Sequence, residues 1–162
     1  MYMRKLLLPI FIFLFFIGCG KKDTVCNFND STVVAPSSEV ASVQAYLSSN
    51  NITATAHPSG LYYQIIAQGG GTSVVNLCSN VSVTYVGKLS NGTIFDQTSP
   101  NSPVTFQLGQ VIVGWQKGVP LINSGGTIRL FIPPSLGYGN RVQGPIPANS
   151  ILIFDITIVG IS

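Results

Sequence analysis

Apolar positions change their period along this chain. Between residues 37 and 49, Val40, Val43, Tyr46 and Leu47 recur at helical spacing behind Pro36 and Glu39, and Ser48-Ser49-Asn50-Asn51 closes the pattern. This predicts one amphipathic helix over 37–49. Its stripe either packs on the following domain or meets a second copy. From residue 52 the pattern becomes β-like. Leu61-Tyr62-Tyr63-Gln64-Ile65-Ile66 reads as a strand, closed by Gly69-Gly70-Gly71 as a flexible turn. Val81, Val83 and Tyr85 alternate with Ser82, Thr84 and Val86, a half-buried strand. Asn91-Gly92 is a tight-turn signal. Val104-Thr105-Phe106-Gln107-Leu108 gives the next strand. The alternation then breaks: Trp115, Val119 and Ile122 share one face of a short helix, limited by Pro120 and Gly125-Gly126. Ile128, Leu130 and Ile132 restore the period of two, and Pro133-Pro134 stops it. A Gly- and Pro-rich loop over 135–150 leads to a last strand over 151–159, with Leu152, Phe154, Ile156 and Ile158 on one face. One helix set among strands, without alternating βαβ units, argues α+β. The predicted architecture is an antiparallel sheet of five or six strands folded over one short helix.

The first residues follow another logic. Arg4 and Lys5 precede an apolar stretch over residues 6–17, which is short beside the ~20 residues of a membrane-spanning helix. The pattern reads as a secretory signal peptide. Phe16-Ile17-Gly18-Cys19 resembles a bacterial lipobox, with Phe16 in place of the usual Leu, which makes Cys19 the expected lipidation site. An ordinary signal peptide cleaved elsewhere is the alternative. The expected organisation is a signal peptide over 1–18, a polar tether over 19–36, a helix and linker over 37–60, and one domain over 61–162.

Charge then narrows the function classes. The chain carries eight basic and five acidic side chains. Losing Arg4 and Lys5 with the signal leaves six against five, which excludes a polybasic nucleic-acid or membrane-surface mechanism. Membrane attachment would come from the acyl chains. Of the three cysteines, Cys26 and Cys78 remain beside Cys19. In an oxidising compartment they can bridge, closing a loop of ~50 residues and contributing roughly 2–4 kcal/mol; two free thiols are the other reading. With one histidine, no close cysteine pair and no paired carboxylates, neither a metal site nor a cofactor is expected. Acyl transfer lacks its partners too, since His57, before Pro58, reads as a loop residue. The glycine run is not a phosphate loop, because no Gly-Lys-Ser/Thr follows it.

What remains is a scatter of aromatic and aliphatic residues: Tyr85, Phe95-Asp96, Val111-Ile112-Val113-Gly114-Trp115, Tyr138-Gly139 and Phe154-Asp155. Brought together, they would make a small apolar pocket with one buried carboxylate, Asp96. Such a pocket suits a compact apolar group such as a proline ring. On pattern alone, Tyr85 and Phe95 read as core residues, Asp96 is a candidate turn cap, and Asp155, pointing away from Phe154, is structural.

The order of these residues resembles the FKBP family of peptidyl-prolyl cis-trans isomerases. Val81-Ser82-Val83-Thr84-Tyr85-Val86-Gly87 is similar to the family's V-x-V-x-Y-x-G strand, and Gly92-Thr93-Ile94-Phe95-Asp96 to its G-x-x-F-D turn. Phe106-Gln107-Leu108-Gly109, the run from Val111 to Trp115, and Gly118 are similar to the strand-to-helix entry. Leu136-Gly137-Tyr138-Gly139 is similar to its Y-G loop. Ile146-Pro147 with Leu152-Ile153-Phe154-Asp155 is similar to its I-P-x-x-x-x-L-x-F-D ending. The resemblance runs from residue 61 to 161.

The resemblance implies the FKBP-like sheet around a short helix and an X–Pro isomerase activity. It implies Trp115 as pocket floor, Tyr85, Phe95 and Phe154 as walls, and Val111 and Ile112 as rim, with the Ile112 N–H bonding a substrate carbonyl. Tyr138 is implied as hydroxyl donor, Asp96 as the carboxylate beside the reacting amide, and Ile146 as the outer lip. Val104 stands where many members carry a second wall Phe, so the pocket is expected to be wider there. Implied partners are proline-containing polypeptides of exported proteins, with macrolides as candidate inhibitors. The chain is expected as a lipid-anchored monomer on the periplasmic side of a bacterial outer membrane. Two rival readings use the same residues: a proline-binding chaperone without significant turnover, and a structural lipoprotein with a vestigial pocket.

Overall fold

A computed structural model describes residues 26–74 and 76–162. The signal peptide, Cys19 and the Lys21-Lys22-Asp23 stretch lie outside the described residues. Among the described residues no helix is long and apolar enough to cross a membrane.

The elements are α1 (Ser37–Ser49), β1 (Thr55–Ala56), β2 (Tyr62–Ala67), β3 (Asn80–Leu89), β4 (Ile94–Gln97), β5 (Val104–Gln107), α2 (Val113–Gly118), β6 (Thr127–Ile132) and β7 (Leu152–Ile161). They form one seven-stranded antiparallel sheet in the order β1-β2-β6-β7-β3-β4, with β5 also paired to β3. The long strands β3 and β7 are neighbours and carry the architecture. The outer edge of β3 is shared: its first half pairs with β5, from Asn80↔Gln107 to Val83↔Val104, and its second half with β4. β1 and β4 are the strands that alternation did not announce. β1 is two residues long, and β4 is an edge strand of four.

Strict alternation gives the sheet two apolar faces. On the inner face Val81, Val83, Ile128, Leu130, Ile132, Ile156 and Ile158 are wholly buried, with Leu108, Val119 and Ile122 from the crossing segment. Helix α2 lies unusually close to β6 because of two glycines one turn apart. A Cβ on Gly114 would sit 2.6 Å from Ile132 Cγ2, and one on Gly118 2.5 Å from Leu130 Cδ2. That approach fixes where Trp115, between them, stands in the core. On the outer face Tyr62, Phe131 and Ile153 sit side by side in register, and α1 lays Val43 and Leu47 over them. The helical stripe is thus used up on the chain's own sheet. Further along that face Asp155 accepts hydrogen bonds from Arg129 and lies 3.5 Å from Lys88 Nζ, a half-exposed cluster worth little for stability.

Two expectations are corrected. The Gly69–Gly71 turn is not a flexible spacer. Gly69 has φ +77°, and a Cβ there would lie 2.6 Å from both Asn123 O and Gly126 N, so this turn is wedged against the next loop. Nor is the expected tether free over its described part. Cys26 and Cys78 are joined with Cα atoms 5.6 Å apart, Phe28 packs on the inner core, and buried Ala35 donates its N–H to Ser59 O at 2.9 Å. Cys26, Phe28 and Ala35 thus fasten this polar segment to the domain, while Val33 and Val34 stay exposed.

Candidate active site

Five segments converge at the open end of the inner core. Tyr85 comes from β3, Phe95 and Asp96 from β4, Phe106 from β5, Trp115 from α2 and Phe154 from β7. Gln110, Val111 and Ile112 come from the connection into α2, and Tyr138 from the turn after β6. Together they line a cavity of about 300 Å³. The register of β3 explains the grouping. Gly87 pairs with Asp96 on one side and Phe154 on the other. A Cβ there would fall 2.7 Å from the Phe95 ring and 2.8 Å from the Phe154 ring, so this glycine lets both rings close over the strand.

Trp115 is the floor, 4 % exposed. Three rings meet it nearly at right angles: Tyr85 at 5.3 Å and 84°, Phe154 at 5.2 Å and 90°, and Phe106 at 5.9 Å and 88°. Phe95 stands edge-on to Phe154 at 5.4 Å. Edge-to-face contacts are favourable for aromatic quadrupoles. Here they also keep the walls upright, so a flat apolar group can lie on the indole between them. The indole Nε1 is buried without a hydrogen-bond partner among the described residues.

Polar groups gather at the mouth. Tyr85 Oη donates to Asp96 Oδ2 at 2.6 Å. Burial, then the hydrogen bond and charge of Asp96, push the Tyr85 phenol well above its ordinary value. Burial and the Asp96 charge push Tyr138 up as well. Both phenols therefore keep their protons across the physiological range, and Tyr85 spends its own on Asp96. This equipment can hold a neutral apolar group and hydrogen-bond its flanking carbonyls.

The cavity gathers Tyr85, Phe95, Asp96, Val111, Ile112, Trp115, Tyr138 and Phe154 from the sequence-predicted set. Three expectations change. Asp96 is exposed, because β4 is an edge strand and its carboxylate stands at the mouth. Ile146 is no lip. It is 4 % exposed in the inner core, held by a reciprocal backbone pair with Gln143. Val104 does not line the cavity either and is 37 % exposed, so it does not widen it. The wall at β5 is Phe106, which sequence reasoning missed, along with Gln110. Phe106 lies two residues beyond Val104 on the same strand face, and its aromatic side chain next to Gln107-Leu108-Gly109 was the available signal.

Comparison with known proteins agrees with this geometry. The family model described as FKBP-type peptidyl-prolyl cis-trans isomerase matches residues 71–159, more than half of the chain. FKBP-type peptidyl-prolyl cis-trans isomerase FkpA of Buchnera aphidicola is 47% identical over 104 residues, covering 64% of this chain and 41% of that protein. Outer membrane protein MIP of Legionella longbeachae is 37% identical over 152 residues, covering 86% of this chain and 65% of its own length. This chain thus spans less than two thirds of either relative. The crystal structure of FkpA from Escherichia coli superposes with a TM-score of 0.69 at 34% identity, over 78% of this chain and 60% of that one. By its fold, its pocket and these matches, the chain belongs to the FKBP-type peptidyl-prolyl cis-trans isomerase family.

Proposed function

We propose that this protein catalyses cis-trans isomerisation of X–Pro peptide bonds in exported polypeptides. The observation that carries the reading is the Trp115 floor ringed by three upright aromatics beneath two protonated phenols. Rotation about an X–Pro bond is slow because amide resonance is lost at the twisted transition state, a barrier of ~18–20 kcal/mol. No bond to carbon is broken and no proton moves. The catalyst must only bind the twisted amide better than either planar isomer. The planar amide is the more dipolar, so an aromatic pocket disfavours it relative to the twisted form. A roughly 10⁴-fold acceleration needs only ~5.5 kcal/mol of this differential binding.

The residues divide the work. Trp115 seats the proline ring between Tyr85, Phe95, Phe106 and Phe154. The Ile112 N–H and the Tyr138 hydroxyl donate to the substrate backbone, and Val111 shapes the rim. Asp96, oriented by Tyr85, faces the rotating amide. Macrolides that mimic the prolyl group would compete for the same cavity. The protein acts as a monomer lipidated at Cys19, on the periplasmic side of a bacterial outer membrane. The lipobox-like sequence and the likeness to a protein named for the outer membrane support this placement. The segments 1–18, 19–36, 37–60 and 61–162 serve as signal, anchor arm, docked helix and catalytic domain.

The test is cis/trans exchange of a short Ala-Pro peptide, followed by NMR with substoichiometric protein. Exchange should rise linearly with protein and be suppressed by a macrolide. Binding of the peptide without faster exchange would overturn the catalytic reading and leave a proline-binding chaperone.

A further inference from the structure

The segment that precedes the family match reaches the back of the cavity's rim. Two residues after bridged Cys26, Phe28 lays its ring on Gly109. A Cβ at Gly109 would sit 2.3 Å from Phe28 Cγ and 2.6 Å from Cδ1, so ring and backbone are in direct contact. Gly109 is the middle residue of the 3₁₀ turn Leu108–Gln110, and the next residues, Val111 and Ile112, are the rim.

That turn is held on other sides by hydrogen bonds. Leu108 N–H donates to Ser79 O at 3.0 Å and Gly109 N–H to Leu77 O at 2.7 Å. From α2, Gln116 Nε2 donates to Val111 O at 2.8 Å and to Gly109 O at 3.4 Å. The acceptors Leu77 O and Ser79 O flank Cys78, the other half of the bridge. The disulfide therefore ties Phe28 to the strand entry that receives the rim's own hydrogen bonds. Phe28 is the apolar wedge in a ring of polar fastenings.

We propose that Phe28 is a positioning residue for the substrate-binding rim. Clamped over Gly109 by the Cys26–Cys78 bridge, it fixes the height of the Val111–Ile112 backbone. Its consequence for turnover rests on the isomerase reading given above. The rim grips the substrate's backbone beside the proline, and that grip is common to the planar and the twisted amide. Loosening it weakens binding of both, which raises KM and spares kcat. A residue that merely covered core would instead lower stability everywhere and move neither constant selectively.

The experiment compares wild type, Phe28→Ala and Phe28→Leu in the full disulfide-bonded protein, reading X–Pro peptide kinetics and amide hydrogen exchange. Phe28→Ala should raise KM about fivefold with kcat within about twofold. Exchange at the Gly109 and Val111 amides should quicken about tenfold, with β3 and β7 unchanged. Phe28→Leu should restore most of both. Gly109→Ala, which pushes the ring away from the other side, should reproduce the Phe28→Ala pattern and serves if that variant does not fold. Wild-type exchange at Gly109 and Val111 in Phe28→Ala, or equal acceleration across the whole sheet, would overturn the proposal. Wild-type protein that does not turn over the peptide would sink the isomerase reading, while the exchange data would still decide whether Phe28 holds the rim.

Discussion

Phe154 and Ile153 are neighbours on one strand, yet they belong to apolar clusters with opposite fates. Ile153 faces outward with Tyr62 and Phe131, and α1 closes over them with Val43 and Leu47. Phe154 faces inward with Tyr85, Phe95, Phe106 and Trp115 around an open cavity. Strand alternation built both faces, so alternation does not explain the difference. The covers do. The outer cover is a thirteen-residue helix with a stripe that fits its partner. The inner cover is a six-residue helix drawn down onto β6 by Gly114 and Gly118, which leaves the strand ends beyond it unroofed. Rings that meet edge-on then line the space instead of filling it. The same chemistry of burial yields a fastening where the cover is long and an open cavity where it stops short.

Breaking the fastening should give the largest effect. Phe131 is wholly buried and touches Tyr46 at a ring distance of 6.3 Å. Phe131→Ala should cost about 3–5 kcal/mol in urea unfolding. Its kcat/KM, measured while the protein is still folded, should stay within about twofold of wild type.

The converse comes from the mouth of the cavity. Asp96 is exposed and its removal costs little packing, but it takes away the partner of the Tyr85 hydroxyl. If Asp96 favours the twisted amide, Asp96→Ala should lower kcat/KM by about tenfold or more, a loss of about 1.4 kcal/mol or more of transition-state stabilisation. Its unfolding free energy should change by under about 1 kcal/mol. Equal losses of stability and activity would blur the two regions into one.

The smallest effect is one of pH. The phenols of Tyr85 and Tyr138 are held above their ordinary value, first by burial and then by Asp96. Between the unfolded value of about 10 and the raised folded value, the native state binds more protons than the unfolded state. The stabilisation is therefore full below about pH 10 and is lost as pH rises through the folded pKa. Phenolate absorbance should show Tyr85 and Tyr138 titrating late, and Asp96→Ala should lower the Tyr85 value. Unchanged titration in that variant would contradict the coupling.

How much of this was readable in the sequence follows from the same contrast. The long strands and α1 announced themselves, because each carries enough residues to show a period. β1 is too short to show one, and β4 is an edge strand with three of its four residues exposed. The aromatic set of the cavity came from the order of several motifs, not from any single residue. Phe106 was passed over for Val104 because alternation names a strand face and not the point along it. One step of two residues is about 7 Å, enough to leave the cavity. Ile146 turns inward through its pairing with Gln143, inside a Gly- and Pro-rich loop with no period at all. Phe28 sits in a polar segment with no period, and its remote contacts with Gly109 and the inner core give it a place.

The proposed division gives the reaction to the inner cluster and the fastening of the fold to the outer one. Its most direct test is turnover of one X–Pro peptide by wild type, Asp96→Ala and Phe131→Ala, side by side at a temperature where all three are folded. The expected result is rapid turnover by wild type and by Phe131→Ala, with Asp96→Ala slower by about tenfold or more. Turnover by folded wild type at the uncatalysed rate, or a greater loss in Phe131→Ala than in Asp96→Ala, would contradict it.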